Sequence, residues 1–372
     1  MTEINVPPKL LKSAAAKQKF QHALLDWFDE HQRDLPWRRN RTPYRIWISE
    51  IMLQQTQVAT VVDYYRKFVN RFPSVRKLAE ADVSEVLKLW EGLGYYRRAR
   101  QLHAAAQTIV EQHRGRFPTD FDDVLALPGI GRYTAGAILS ISKDQRHPIL
   151  EGNTIRLFAR LMEMRSDVKA TANQKRLWAF SESMVPQKRP GDFNQALMEL
   201  GSELCRPKRP MCLLCPVNQF CVTFKKGLQA QIPTSVKKTK YETLHEAVVL
   251  IPRKNKFLVR QCGPGERWEG LWDFPRFEIN PLEPDRVSQL LASSVKQLAG
   301  LAVQLESTEL TIKHAVTKYR ITLEVYRAID VTGRLSKQPT PTAWKTARQI
   351  ASTPMSVTGR QIADHFLEST DR

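Results

Sequence analysis

No apolar run in this chain of 372 residues approaches the roughly 18 residues needed to cross a bilayer, which excludes a membrane-spanning role. The start, residues 1–19, carries lysines but no apolar segment behind them and no small-residue cleavage site. No secretory signal is read there, and the protein is expected in the cytoplasm, nucleoid-associated if the source is bacterial. Acidic residues are few: 38 Asp and Glu stand against 57 Lys and Arg, a net charge of +19. Such an excess must be held beside something acidic or tolerated as self-repulsion. Nucleic acid suits it better than an anionic membrane surface, because the basic residues are scattered and not gathered on one amphipathic helix. Charge alone gives salt-sensitive phosphate binding and no chemistry. With 42% hydrophobic and 26% charged residues the composition excludes disorder, and at roughly 150 residues per domain the length predicts two or three domains.

Strand signals are absent from residues 17 to about 225. Apolar residues recur there at helical spacing, as at Phe20, Leu24, Trp27 and Phe28, from Ile46 to Phe68, and at Val83, Val86, Leu87 and Trp90, so the region is read as all-α. A polar, basic stretch with Gly227 and Pro233 follows and is read as a linker over residues 227–242. From residue 243 short β-rich runs appear, Glu246 to Ile251, Lys256 to Arg260 and Tyr319 to Ala328, with a helical stretch from Val287 to Leu298 between them. The expectation is therefore a multidomain chain, helical over 1–226 and α+β over 243–372, without an internal repeat.

Four of the five cysteines, Cys205, Cys212, Cys215 and Cys221, lie within seventeen residues, with gaps of six, two and five. Reduced thiols this close suit a metal centre better than two disulfides. Four thiolates hold either zinc or a [4Fe-4S] cluster, and the spacing leaves both open, with a structural role for either. Leu127-Pro128-Gly129-Ile130-Gly131-Arg132 lies between two helical segments. Its glycines let the backbone turn sharply and bring N–H groups to the head of the next helix, a helix-hairpin-helix signature suited to a phosphate. Gly129, Gly131 and Arg132 are its candidate DNA contacts.

Five blocks, taken in order, carry a resemblance. These are Ile48 to Val58, Gly92-Leu93-Gly94-Tyr95-Tyr96, the hairpin with Thr134-Ala135-Gly136-Ala137, Phe193-Asn194-Gln195-Ala196-Leu197, and the cysteine loop. Together they resemble the MutY family of adenine DNA glycosylases over most of the chain. The resemblance implies an endonuclease III-type helical domain, a [4Fe-4S] cluster on the four cysteines, and excision of adenine paired with 8-oxoguanine or guanine in duplex DNA by a monomer. It puts Glu50 at the residue that protonates adenine N7, and Glu151 where the family has an aspartate that stabilises the sugar cation, with Asn153 beside it in the catalytic set. Tyr133 stands where related bifunctional enzymes have a Schiff-base lysine, which predicts a monofunctional enzyme. Gln55 and Tyr95 match residues that wedge into the duplex. Arg33, Leu35, Trp37, Arg38 and Gln195 match the adenine pocket.

Glu269-Gly270-Leu271-Trp272-Asp273-Phe274-Pro275 resembles the opening of the Nudix-like domain of MutY proteins. Ser293, Ser294, Gln297 and Leu298 stand where a hydrolytic Nudix helix needs charged residues for Mg²⁺, so the domain is read as a mismatch-recognition module. Its checking loop in the family carries Phe-Ser-His; here Val316, Thr317 and Lys318 occupy those positions, with Thr317 keeping the hydroxyl and Lys318 adding a charge for phosphate. Two other readings stand beside the leading one: a thymine or uracil mismatch glycosylase of the same superfamily, and a DNA-damage binding protein with weakened catalysis.

Overall fold

Ser13, Thr42, Ser74 and Asp120 each accept a backbone amide at the head of a helix, satisfying donors that have no intrahelical partner. The computed structural model describes residues 11–234, 241–279 and 284–367, so residues 235–240 of the expected linker lie outside the described residues. In chain order the first helices are α1 (Ala14–His31), α2 (Pro36–Arg39), α3 (Pro43–Leu53), α4 (Val58–Arg71), α5 (Val75–Ala79), α6 (Val83–Leu89) and α7 (Arg97–Gln112). They are followed by α8 (Phe121–Leu125), α9 (Arg132–Lys143), α10 (Gly152–Leu161), α11 (Thr171–Met184), α12 (Pro190–Glu203) and α13 (Val222–Lys225). No strand interrupts residues 17–225, and no described helix is long and apolar enough to cross a membrane.

Two compact units form. Among the described residues the first comprises 11–80 and 101–234, the second 81–100 and 241–367. The segment 81–100, expected within the helical domain, packs with the second unit, and ion pairs are part of that packing. Glu91 takes Arg360 Nε at 2.7 Å and Lys88 Nζ at 2.9 Å, and Arg100 reaches Glu269 at 3.4 Å. In the first unit α3 packs on α9, α9 on α12, and α12 on α1 and α10. Leu24 and Phe28 of α1, Leu157 and Phe158 of α10, and Phe193, Leu197 and Leu200 of α12 share one core, each contributing about 1.5–3 kcal/mol on burial. A Cβ on Gly201 would lie 2.6 Å from Asn153 Cβ, so α12 approaches the head of α10 only because glycine stands there.

The second unit contains β1 (Glu242–Leu250), β2 (Pro252–Arg253), β3 (Lys256–Gln261), β4 (Trp272–Asp273), β5 (Arg276–Glu278), α14 (Pro284–Ala299), β6 (Leu301–Val316), β7 (Tyr319–Gly333), β8 (Thr342–Thr346), α15 (Ala347–Ser352) and α16 (Val357–Leu367). One sheet runs β5-β1-β7-β6, with β1 parallel to β7 and the rest antiparallel; the other runs β2-β3-β4 with β8 paired to β3. Alternation along β1 feeds two cores: Val248 and Leu250 face the one shared with α15 and α16, Ala247 and Val249 the one shared with α14. The sequence reading missed β6. As the edge strand of its sheet it has only Leu301 and Ile312 fully buried, and register shifts at Gln304/Leu305 and Ser307/Thr311 break its alternation, so neither a buried run nor an unbroken period of two marks it.

Candidate active site and nucleic-acid interface

Four helices bring the predicted catalytic residues together. Glu50 lies on α3, Tyr133 on α9 and Glu151 at the head of α10, while α12 supplies Gln195. They share a cavity of ≈ 160 Å³ with Asn153, Arg33, Leu35, Trp37 and Arg38, so all nine catalytic and pocket residues expected from sequence line one space.

Glu50 is only 5% exposed. Burial pushes its carboxyl up to about 7, with Glu151 adding to the rise, while a hydrogen bond from Tyr133 and the charge of Arg38 oppose it. The Tyr133 hydroxyl donates to Glu50 Oε2 at 2.6 Å, and burial holds this phenol well above its usual range. Glu151 is the N-cap of α10: Asn153 N donates to Oε2 at 2.8 Å and Thr154 N to Oε1 at 2.9 Å, and the Thr154 hydroxyl closes a capping box. Burial raises its carboxyl, against the lowering effect of those two amides. A glutamate is one methylene longer than an aspartate. An extended backbone (φ −141°, ψ −179°) folds that extra length back onto the chain's own amides.

Glu199 was not anticipated. It is 1% exposed and takes Arg33 Nε at 2.8 Å, Arg33 Nη2 at 2.7 Å and Arg38 Nη2 at 2.9 Å. Burial would raise its carboxyl, but the two guanidinium groups outweigh that and hold it at about 2. Arg33 and Arg38 therefore line the cavity with their charges committed to Glu199. Met198, Glu199 and Ser202 also line it, and they follow Gln195 at i+3, i+4 and i+7, the one-face spacing of a helix. That spacing was the available signal. Trp37 serves both expectations, lining the cavity and packing edge-on against Tyr65 with centroids 5.3 Å apart.

The duplex-facing candidates lie elsewhere. Gly129, at φ 77°, turns the chain between α8 and α9, and Gly131 caps α9 with no side-chain bond to its amides. Arg132 lays its guanidinium 4.0 Å over the Trp178 ring. Gln55 (φ 58°), Tyr95 (φ 49°) and Thr317 (φ 53°) all adopt left-handed backbone, a strained choice for residues with a Cβ. In the second unit Tyr95 and Thr317 line a cavity of ≈ 390 Å³ with Trp268 and His314. Lys318, expected to offer its charge to phosphate, pairs instead with Glu242 at 2.8 Å, because β1 and β7 run parallel and bring Glu242 opposite Tyr319.

Cys205, Cys212, Cys215 and Cys221 are free thiols around one cavity. Arg160, 2% exposed, donates to the carbonyls of Arg206, Gln229 and Ile232 and to Cys205 Sγ at 3.2 Å, tying the loop to α10. No three His, Cys, Asp or Glu side chains among the described residues gather as ligands for a single metal ion.

A buried acid, a second carboxylate and a helix-hairpin-helix turn on one helical unit define a base-excising DNA repair enzyme, and residues 48–182 match the HhH-GPD superfamily of base excision DNA repair proteins. Residues 247–365 match a NUDIX domain. An adenine DNA glycosylase of Buchnera aphidicola subsp. Schizaphis graminum is 39% identical over 260 residues, covering 70% of this chain and 75% of that protein. The human adenine DNA glycosylase is 37% identical over 309 residues, covering 80% of this chain and 55% of that one. The chain belongs to the adenine DNA glycosylase family. The solved structure of a thermostable thymine-DNA glycosylase aligns at TM-score 0.52 and 29% identity, over 56% of this chain and 97% of that one.

Proposed function

We propose that this adenine glycosylase acts as a monofunctional monomer on adenine opposite 8-oxoguanine or guanine in duplex DNA, with Glu50 as acid and Glu151 as the charge that steadies the sugar. The supporting observation is the buried cavity that holds both carboxyl groups and Tyr133. With a pKa near 7, Glu50 is about half protonated at neutral pH, the condition under which a general acid serves best. Its Oε2 accepts from Tyr133, leaving Oε1 to carry the proton to adenine N7. As the bond to the base stretches, positive charge grows on the sugar, and Glu151, aimed by two amides, offsets it. Among the described residues Tyr133 and no lysine lines the cavity, which supports excision without a Schiff base or strand cleavage.

The four cysteines fit a [4Fe-4S] cluster by their chemistry: four thiols, no disulfide, a shared cavity and the Arg160 guanidinium beside one sulfur. Burial pushes Cys215 to about 12 and Cys221 to about 11, so a bound cation is what would make thiolates of them. The cluster would supply a structural tie between loop and α10.

Single-turnover excision on four duplexes tests the proposal. Adenine opposite 8-oxoguanine and opposite guanine should be released, thymine and uracil opposite guanine retained, and borohydride should trap no adduct. Thymine release, or a high yield of trapped protein, would sink it. Purified protein should carry about four irons per chain; a single zinc would remove the cluster from the reading.

A further inference from the structure

Tyr95 is 51% exposed and sits in a turn that leaves the ordinary backbone regions three times, at Gly92 (φ 100°), Gly94 (φ 72°) and Tyr95 itself (φ 49°). A non-glycine residue held there costs on the order of 1 kcal/mol or more and persists only where its surroundings fix it. Arg98 does much of that fixing. Its Nη2 donates to the carbonyl of Leu93 at 3.2 Å and of Gly94 at 3.1 Å. The same guanidinium lies 5.2 Å over the Trp90 ring and 5.8 Å over the Tyr95 ring. Gly94 O accepts a second bond from Trp90 Nε1 at 3.2 Å, and Gly92 N donates to the Tyr96 hydroxyl at 3.1 Å. Arg98 is 8% exposed, so the cation faces the turn and not solvent.

We infer that Arg98 is a positioning residue for base extrusion: it presets the Gly92–Tyr96 turn so that Tyr95 presents its ring already oriented to enter the duplex. The inference rests on the proposed entry of Tyr95 into DNA. Preset geometry removes an ordering cost from the step in which the adenine leaves the stack. One nitrogen of Arg98 serves both carbonyls while the flat guanidinium lies over two rings, a contact that the compact lysine ammonium does not reproduce.

The test uses the full chain and a duplex with adenine opposite 8-oxoguanine and 2-aminopurine beside that adenine, whose fluorescence rises as the base unstacks. Arg98→Met and Arg98→Lys should each slow the rise and the single-turnover excision, by about 100-fold for a misplacement near 1 Å. Melting of Arg98→Lys checks that the fold persists. Tyr95→Ala should show the same loss, and Tyr95→Ala combined with Arg98→Lys should be no worse than Tyr95→Ala alone, because Arg98 acts through Tyr95. Losses that add in the double variant, or an Arg98→Lys enzyme with a normal rise, would overturn the positioning role while leaving Tyr95's own role intact. A Tyr95→Ala enzyme with a normal rise would overturn both.

Discussion

Glu50 binds its proton more tightly folded than unfolded, where its carboxyl titrates near 4.5. The folded state therefore holds more protons than the unfolded one between pH 4.5 and about 7, and stability from this group falls as pH rises through that window. Above it the buried carboxylate costs about 3 kcal/mol. Glu50→Gln should match the parent in denaturant melts at pH 4 and exceed it at pH 8 by up to that amount, while excision drops by about 100- to 10,000-fold. In the parent, excision should decline as pH rises past about 7. Gln55 offers a second test at this scale. Its left-handed backbone is one that glycine adopts freely, so Gln55→Gly should stabilise the protein by about 1 kcal/mol and still lose excision, if the amide side chain fills the gap left by the extruded base. The burial of Glu50 was legible in sequence, since Trp47, Ile51 and Met52 flank it. Its bond to Tyr133, 83 residues away, is made by packing α3 on α9, which no local pattern announces.

Among the elements, α12 and the segment from Arg33 to Arg38 are clamped by Glu199. Its carboxyl lies below its unfolded value of 4.5, so the stabilisation is present above pH 4.5 and is lost as pH falls toward about 2. Glu199→Gln would leave two guanidinium groups facing an uncharged amide in a largely buried site, and should cost about 3–5 kcal/mol in melts at pH 7. The motif block of α12 ended at Leu197 in the sequence reading; Glu199 looked like any helix glutamate, and only its two arginine partners, more than 160 residues away, make it part of the site. Strand β6 was hidden for a different reason. A bulged edge strand, covered by its sheet on one side only, has little apolar period to read, whereas the buried half of β1 from Glu246 to Leu250 was read and its exposed first half was not.

For the whole molecule, the positive charge predicts that duplex affinity falls steeply with salt, by about 10³- to 10⁵-fold between 50 and 200 mM if some 6–10 phosphates are contacted. Glu50→Gln should leave that slope unchanged, which separates binding from chemistry in one titration. The division into units gives a further prediction. A chain ended at residue 237 would deprive Glu91 of Arg360 and Arg100 of Glu269, so removing the Nudix-like part should lower the melting temperature. The sequence pattern marked a boundary near residue 227 by composition, but it could not show that residues 81–100 fold with the later segment, because ion pairs across some 270 positions leave no trace in local spacing.

Glu151 has one further consequence. Its carboxylate is held by the amides of Asn153 and Thr154, two protons that solvent can replace only when the cap opens. Their exchange with deuterated water therefore reports the state of the carboxylate directly. Slow exchange marks an ionised, seated group, and a loss of protection relative to the intrinsic rate as pH drops marks its protonation. A bound sugar cation analogue should slow both amides further, giving a readout of this half of the site that requires no base to be released.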